Sequence, residues 1–195
     1  MVNNDGKRGQ LIRCFIAIDF TDEIIKEVAR VQEELGKIKF RGKLTELENL
    51  HLTLKFLGEI DENKVKEIRK KLGEIKFKEF EGKTGRIGTF SIRGNPRIVW
   101  VKVEGKEIWD LQKEIDRGMG ELGFKIEERF MSHLTIARLK YVENKKDFIE
   151  RVKKLGVKGI KFKVSGFKLM KSELRPLGPV YSVIEEYSLQ NDDEI

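Results

Sequence analysis

Only two histidines occur in this chain, and both head the same four-residue pattern. His51-Leu52-Thr53-Leu54 is matched 82 residues later by His133-Leu134-Thr135-Ile136. A pattern repeated at that distance restricts the chain to folds in which one supersecondary unit occurs twice. It also makes the two histidines candidates for one shared site.

The surroundings of the two patterns follow the same order. An apolar run predicts a strand over 11–20. Thr21 is positioned to cap a helix whose apolar stripe is Ile24, Ile25, Val28, Val31 and Leu35, and Gly36 is a plausible stop. A polar stretch leads to the first histidine strand. Over 51–57 strict alternation puts Leu52, Leu54 and Phe56 on one face and His51, Thr53 and Lys55 on the other, and Gly58 ends the strand. A helix follows over 61–72, then strand-like pieces near Phe77, over 85–92 and over 97–103. The second round has a helix marked by Ile108, Leu111, Ile115 and Met119, a strand over 133–139, a helix over 145–155, and strands over 160–166, 167–172 and 180–189. The tail from Asn191 is acidic apart from its last residue and is expected to fray.

This order predicts an α+β fold with two pseudo-symmetric lobes, each an antiparallel or mixed sheet with helices outside. If the lobes face each other about a pseudo-twofold axis, the open polar faces line a central groove in which His51 approaches His133. The whole chain, 1–195, is then a single catalytic domain of two similar, intertwined lobes, each contributing one His-x-Thr strand.

Composition limits the partners. Forty Lys and Arg against 33 Asp and Glu leave a formal net charge of +7, a field that favours anions, nucleic acid among them. A single cysteine, Cys14, excludes an internal disulfide and fits a cytoplasmic setting. It reads as a buried strand residue. No segment has the ~20 apolar residues of a membrane helix, and the first ten residues do not resemble a signal peptide. Abundant Lys and Glu with few Gln and His suit a heat-adapted source. Nothing in the sequence requires more than a monomer.

Paired imidazoles can divide the work of phosphodiester cleavage, one removing a proton from the nucleophile and the other donating one to the leaving oxygen. In an extended strand, residue i+2 returns to the same face, so Thr53 lies beside His51 and Thr135 beside His133. Their hydroxyls can donate to non-bridging phosphate oxygens. Neither a GxxxxGK[ST] loop nor a GxGxxG fingerprint is present. A metal site would need a carboxylate to join the two histidines, and no HExxH or CxxC supports it.

These motifs carry a resemblance. His51-Leu52-Thr53-Leu54-Lys55-Phe56-Leu57-Gly58 and His133-Leu134-Thr135-Ile136-Ala137-Arg138 resemble the two signatures of the 2H phosphoesterases, closest to the bacterial and archaeal RNA 2',3'-cyclic phosphodiesterase (2'-5' RNA ligase) branch. Arg13-Cys14-Phe15-Ile16-Ala17-Ile18 near the start fits too. So do Lys171-Ser172-Glu173-Leu174 and Gly178-Pro179-Val180-Tyr181 near the end, and the likeness covers nearly the whole chain. It implies a bilobal fold and hydrolysis of an RNA terminal 2',3'-cyclic phosphate to a 2'-phosphomonoester, with reversible 2'-5' joining as a side activity. RNA ends, transfer RNA fragments among them, are the implied partners, and no metal or nucleotide cofactor is expected. It further implies that His133 is the proton acceptor, that His51 is the proton donor, and that Thr53 and Thr135 hold phosphate oxygens. The family often has proline where this chain has Ser132, for which a surface or turn role is expected.

Two cations are candidate substrate-binding residues. Lys55 shares the His51 face by alternation. Arg138 belongs to the second signature, but alternation puts it on the face away from His133 unless the strand bulges. Phe56 could stack a base, though its face favours the core. Trp100 and Trp109 read as core residues, and the basic stretch over 153–163 as a solvated face. Two other functions stay open: a groove that binds RNA ends without turnover, and a phosphodiesterase for small cyclic nucleotides or 2'-5' oligonucleotides.

Overall fold

The computed structural model describes residues 11–176 and 178–191. The opening ten residues and the last four of the acidic tail, on which two of the expectations above fall, lie outside the described residues. The elements run β1 (Ile12–Ile18), α1 (Asp22–Gly36), β2 (Arg41–Leu44), a 3-10 turn (Leu47–Asn49), β3 (Leu52–Ile60), α2 (Glu62–Gly73) and β4 (Phe80–Ile92). Then come β5 (Asn95–Glu104), α3 (Lys106–Glu121), β6 (His133–Tyr141), α4 (Lys145–Lys154), β7 (Lys161–Val164), β8 (Gly166–Arg175) and β9 (Gly178–Ser188).

The strands follow the order β7-β4-β5-β6-β3-β1-β8-β9, with β2 attached to β6, and every ladder between named strands is antiparallel. The two histidine strands stand side by side at the middle of this path. They share one register pair, Leu52 with Leu134, and then part. Beyond that point β2 takes the edge of β6, pairing Leu44 with Ala137 and Lys43 with Arg138. The sheet therefore curls into two halves, β3-β1-β8-β9 and β6-β5-β4-β7, joined at a narrow seam.

The helices cross between the halves. Helix α1 leaves β1 yet rests against β6, and α3 leaves β5 yet rests against β3. Ile24, Val28, Val31 and Leu35 of α1 and Ile108, Leu111, Ile115 and Met119 of α3 are fully buried in one continuous core. Each such side chain contributes about 1.5–3 kcal/mol by leaving water, so the crossed helices clamp the seam. Asp61 and Asn144 cap α2 and α4 by accepting from the amides of Lys64 and Asp147, at 2.8 and 3.1 Å. Thr21 is the N-cap of α1, but its side chain makes no capping bond.

The structure also differs locally from the alternation reading. β3 continues to Ile60 through Gly58, whose φ of 75° is a backbone state open to glycine. The polar strand β2 carries no apolar alternation, and its ladder to β6 is what makes it a strand.

Candidate active site

Both histidine strands depart from strict alternation at the same place. In β3 the partners of Ile16 and Ala17 on β1 are Lys55 and Thr53, so Leu54 is an extra residue. In β6 the partners of Val99 and Trp100 on β5 are Ala137 and Thr135, so Ile136 is extra. Each bulge lets two consecutive side chains turn inward and brings the third residue after the threonine back to the groove face. Burial over 51–59 and over 133–141 is the same position by position, with His and Thr half-buried, then two buried residues, then an exposed one.

Those bulges correct two expectations, for Lys55 and Phe56, and meet the condition under which Arg138 reaches the groove. Lys55 does not share the His51 face. It is 7% exposed, and its ammonium donates to the Asp116 carboxylate of α3 and to the carbonyl of Lys125, at 2.7 Å for the latter. Phe56, expected in the core, is 69% exposed and lines the groove. Arg138 returns to the histidine face, and its guanidinium has no ion pair or hydrogen bond among the described residues.

His51, Thr53, His133, Thr135 and Arg138 line one cavity of about 300 Å³, with Phe56 and Tyr181 among its walls. The histidines are anchored alike: Nδ1 of His51 lies 2.8 Å from the carbonyl of Asn49, and Nδ1 of His133 lies 2.7 Å from that of Met131. A carbonyl only accepts, so each Nδ1 carries the proton and each Nε2 is left for the cavity. Aromatic rings fix the imidazole planes. Phe15 and Tyr181 lie 4.8 and 5.2 Å from the His51 ring, and Phe90 lies edge-on 5.0 Å from His133. Asn49 ties the turn before His51 to the β8–β9 hairpin by donating to the carbonyl of Pro179 at 3.2 Å.

Burial pushes both imidazoles below their ordinary value near 6.5. The charges around them differ. Beyond desolvation and the backbone bond, His51 has the Asp19 carboxylate in its field, which favours its protonated form against the opposing pull of Arg138 and His133. His133 has only cations there, Lys102 and Arg138. Lys102 is paired with His133 across β5–β6.

Other candidates fall away from the cavity. Ser132 is fully buried, not on the surface; its hydroxyl donates to the carbonyl of Val103 at 2.6 Å and accepts from Lys102 at 3.1 Å. Trp100 is buried, whereas Trp109 is 38% exposed and packs edge-on against Phe130. Among the described residues no three His, Cys, Asp or Glu groups are placed to hold a metal ion, and no helix is long and apolar enough to cross a membrane. Sequence alternation missed Phe56 as a groove residue. The only signal for it was the lysine beside it, which strict alternation had to leave in the open.

Fold and site together define a class: two-lobed α+β proteins in which paired histidine strands meet over one shared cavity. The chain belongs to the LigT-like phosphoesterase family, whose model matches residues 18–100 and again 101–181. An RNA 2',3'-cyclic phosphodiesterase of Methanocaldococcus jannaschii is 40% identical over 178 residues, covering 90% of this chain and all of the relative. One of Thermotoga maritima is 35% identical, covering 90% of this chain and 94% of the relative. A solved structure from Thermus thermophilus superimposes with a TM-score of 0.79 at 28% identity, covering 92% of this chain and 99% of the other.

Proposed function

We propose that this protein hydrolyses the 2',3'-cyclic phosphate at the end of an RNA to a 2'-phosphomonoester, as a single catalytic domain. The observation that carries the reading is the pair of imidazoles whose Nδ1 atoms are committed to backbone carbonyls while both Nε2 atoms serve the same cavity. The names of the relatives supply the substrate class.

Water attacks phosphorus as His133 Nε2 takes its proton. The bond from phosphorus to O3' breaks, and O3' takes a proton from His51 Nε2, leaving phosphate on the 2' oxygen. The surrounding charges support this division, because the cations beside His133 favour its neutral form and Asp19 favours protonated His51. Thr53 and Thr135 donate to the non-bridging oxygens. Arg138, uncommitted among the described residues, neutralises the charge that builds on them. Phe56 offers a flat face to the terminal base.

When a 5'-hydroxyl replaces water, the same roles yield a 2'-5' linkage, and they exchange when that linkage is cut. The net charge of +7 suits RNA ends, transfer RNA fragments included, the single cysteine suits the cytoplasm, and the reaction needs no more than a monomer.

The test is a short RNA with a labelled 2',3'-cyclic end, incubated with EDTA and resolved against 2'- and 3'-phosphate standards. A 2'-phosphate product, lost in His51→Ala and in His133→Ala, is expected. A 3'-phosphate product would reverse the leaving oxygen, and folded protein without turnover would reject the reaction.

A further inference from the structure

A bulge is costly in a core unless its displaced groups find partners. The partners here come from the helix side and from the opposite half of the molecule. At β6, Gln32 of α1 donates to the carbonyl of the extra residue Ile136 at 2.9 Å and to that of Thr45 at 2.7 Å. The Thr45 amide also donates to Ile136, at 2.9 Å. At β3 the inward-turned Lys55 meets Asp116 of α3 and the Lys125 carbonyl, and the other oxygen of Asp116 accepts from the Glu127 amide at 2.7 Å.

The two braces occupy the same helical position. Gln32 follows buried Val31 and precedes Leu35 by a turn; Asp116 follows buried Ile115 and precedes Met119 by a turn. Gln32 is 6% exposed and Asp116 4%. Neither side chain lines the cavity.

The consequence is a register lock. If β3 returned to regular alternation, Lys55 would swing to the groove, Phe56 would enter the core, and Asp116 would be stranded as an unpaired buried carboxylate. If β6 did so, Arg138 would turn inward, and the Ile136 carbonyl and Gln32 would lose each other.

We infer that the Lys55–Asp116 pair and Gln32 are positioning residues that aim Phe56 and Arg138, respectively, into the groove by fixing the extra residue of each histidine strand. The inference rests on the cyclic-phosphate reading for what those two side chains meet there. It makes the buried lysine a determinant of base recognition, although it touches no substrate.

The experiment compares wild type with Lys55→Met/Asp116→Leu, which removes both charges while keeping the space filled, and with Gln32→Leu. The substrates are adenosine 2',3'-cyclic phosphate and methyl ribofuranoside 2',3'-cyclic phosphate, which has no base. The paired variant is expected to raise KM about tenfold for the adenosine ester only, the scale of one lost base stack, with kcat and the base-free ester unchanged. In a Phe56→Ala background it is expected to add nothing. Gln32→Leu is expected to lower kcat on both esters about tenfold, a part of what a misaimed charge donor costs. Equal proportional losses on both esters from the paired variant, or additivity with Phe56→Ala, would show a merely structural role and overturn the inference.

Calorimetry with adenosine 2'-monophosphate and inorganic phosphate reads the same split without turnover. Wild type that binds both but hydrolyses neither ester overturns the reaction while the affinity ratio still judges the brace. Should the paired variant not fold, Asp116→Asn takes its place. A crystal structure of the paired variant, or of Asp116→Asn in its place, in which Phe56 still faces the groove, or of Gln32→Leu in which Arg138 still does, overturns the inference whatever any ligand does.

Discussion

Leu52 and Leu134, the residues that follow the two histidines, are paired with each other across the seam of the sheet. In an antiparallel register that pairing sets His51 beside Thr135 and Thr53 beside His133, all on the face opposite the leucines. Each imidazole therefore has a threonine from its own strand and another from the facing strand. The pseudo-twofold axis of the site runs through a hydrophobic contact that the core holds fixed, since both leucines are fully buried.

That crossing gives the threonines a testable weight. Thr53→Val and Thr135→Val keep the branched shape and remove the hydroxyl. If each donates to a phosphate oxygen as charge builds, each substitution lowers kcat by about 10²-fold with little change in KM, the pattern of a donor used in the transition state. Single-turnover rates on a cyclic-ended RNA check this; a rise in KM at constant kcat would reduce the hydroxyls to ground-state contacts.

Arg138 is the one cavity cation uncommitted among the described residues, so its loss strands no partner among them. Arg138→Ala is expected to cut kcat/KM by about 10²–10³-fold without lowering the melting temperature. Arg138→Lys keeps the charge but loses the planar fork, and is expected to recover only part of the rate. Full recovery with lysine would show that charge alone matters there.

How far the sequence reaches can be seen along one strand. Periodicity placed His51, Leu52 and Thr53 on the faces they occupy, because up to that point β3 alternates. It failed at Lys55 and Phe56, because the extra residue at Leu54 is stabilised from outside the strand. Asp116, 61 residues away on α3, receives the lysine that the bulge turns inward. The same holds for Arg138, whose direction depends on Gln32, 104 residues before the Ile136 carbonyl that it holds. The strand β2 was illegible for a related reason: its residues are polar, and β6 supplies its hydrogen bonds. Local pattern reports where apolar side chains go; it does not report where a distant polar group makes an irregular backbone affordable.

The charges around the two imidazoles predict which limb of the pH–rate profile each controls. If His51 is the acid and His133 the base, kcat/KM falls on the alkaline side as His51 loses its proton and on the acid side as His133 gains one. Asp19→Asn removes a carboxylate that favours protonated His51, so the alkaline limb moves to lower pH. Lys102→Met removes a cation that disfavours protonated His133, so the acid limb moves to higher pH. Both substitutions narrow the bell, from opposite sides. Widening in either variant would exchange the roles of acid and base.

Burial also links these histidines to stability. Both are held below their ordinary value near 6.5 in the folded protein. The unfolded chain therefore takes up protons at these positions at a pH where the folded chain does not. Their contribution is complete above about 6.5 and is lost as pH falls from there toward the lowered folded values. The carboxylates of Glu27 and Glu46, held below the usual 4.5 chiefly by Arg30 and Lys43, respectively, give up their contribution only at still lower pH. Acid destabilisation should thus begin with the histidines. Scanning calorimetry between about pH 7.5 and pH 5 is expected to show the melting temperature of the wild type falling, and that of a His51→Ala/His133→Ala double variant staying nearly level over the same range. A wild-type melting temperature that is flat across this window would mean that the imidazoles are solvated in solution, and the desolvated site described here would not stand.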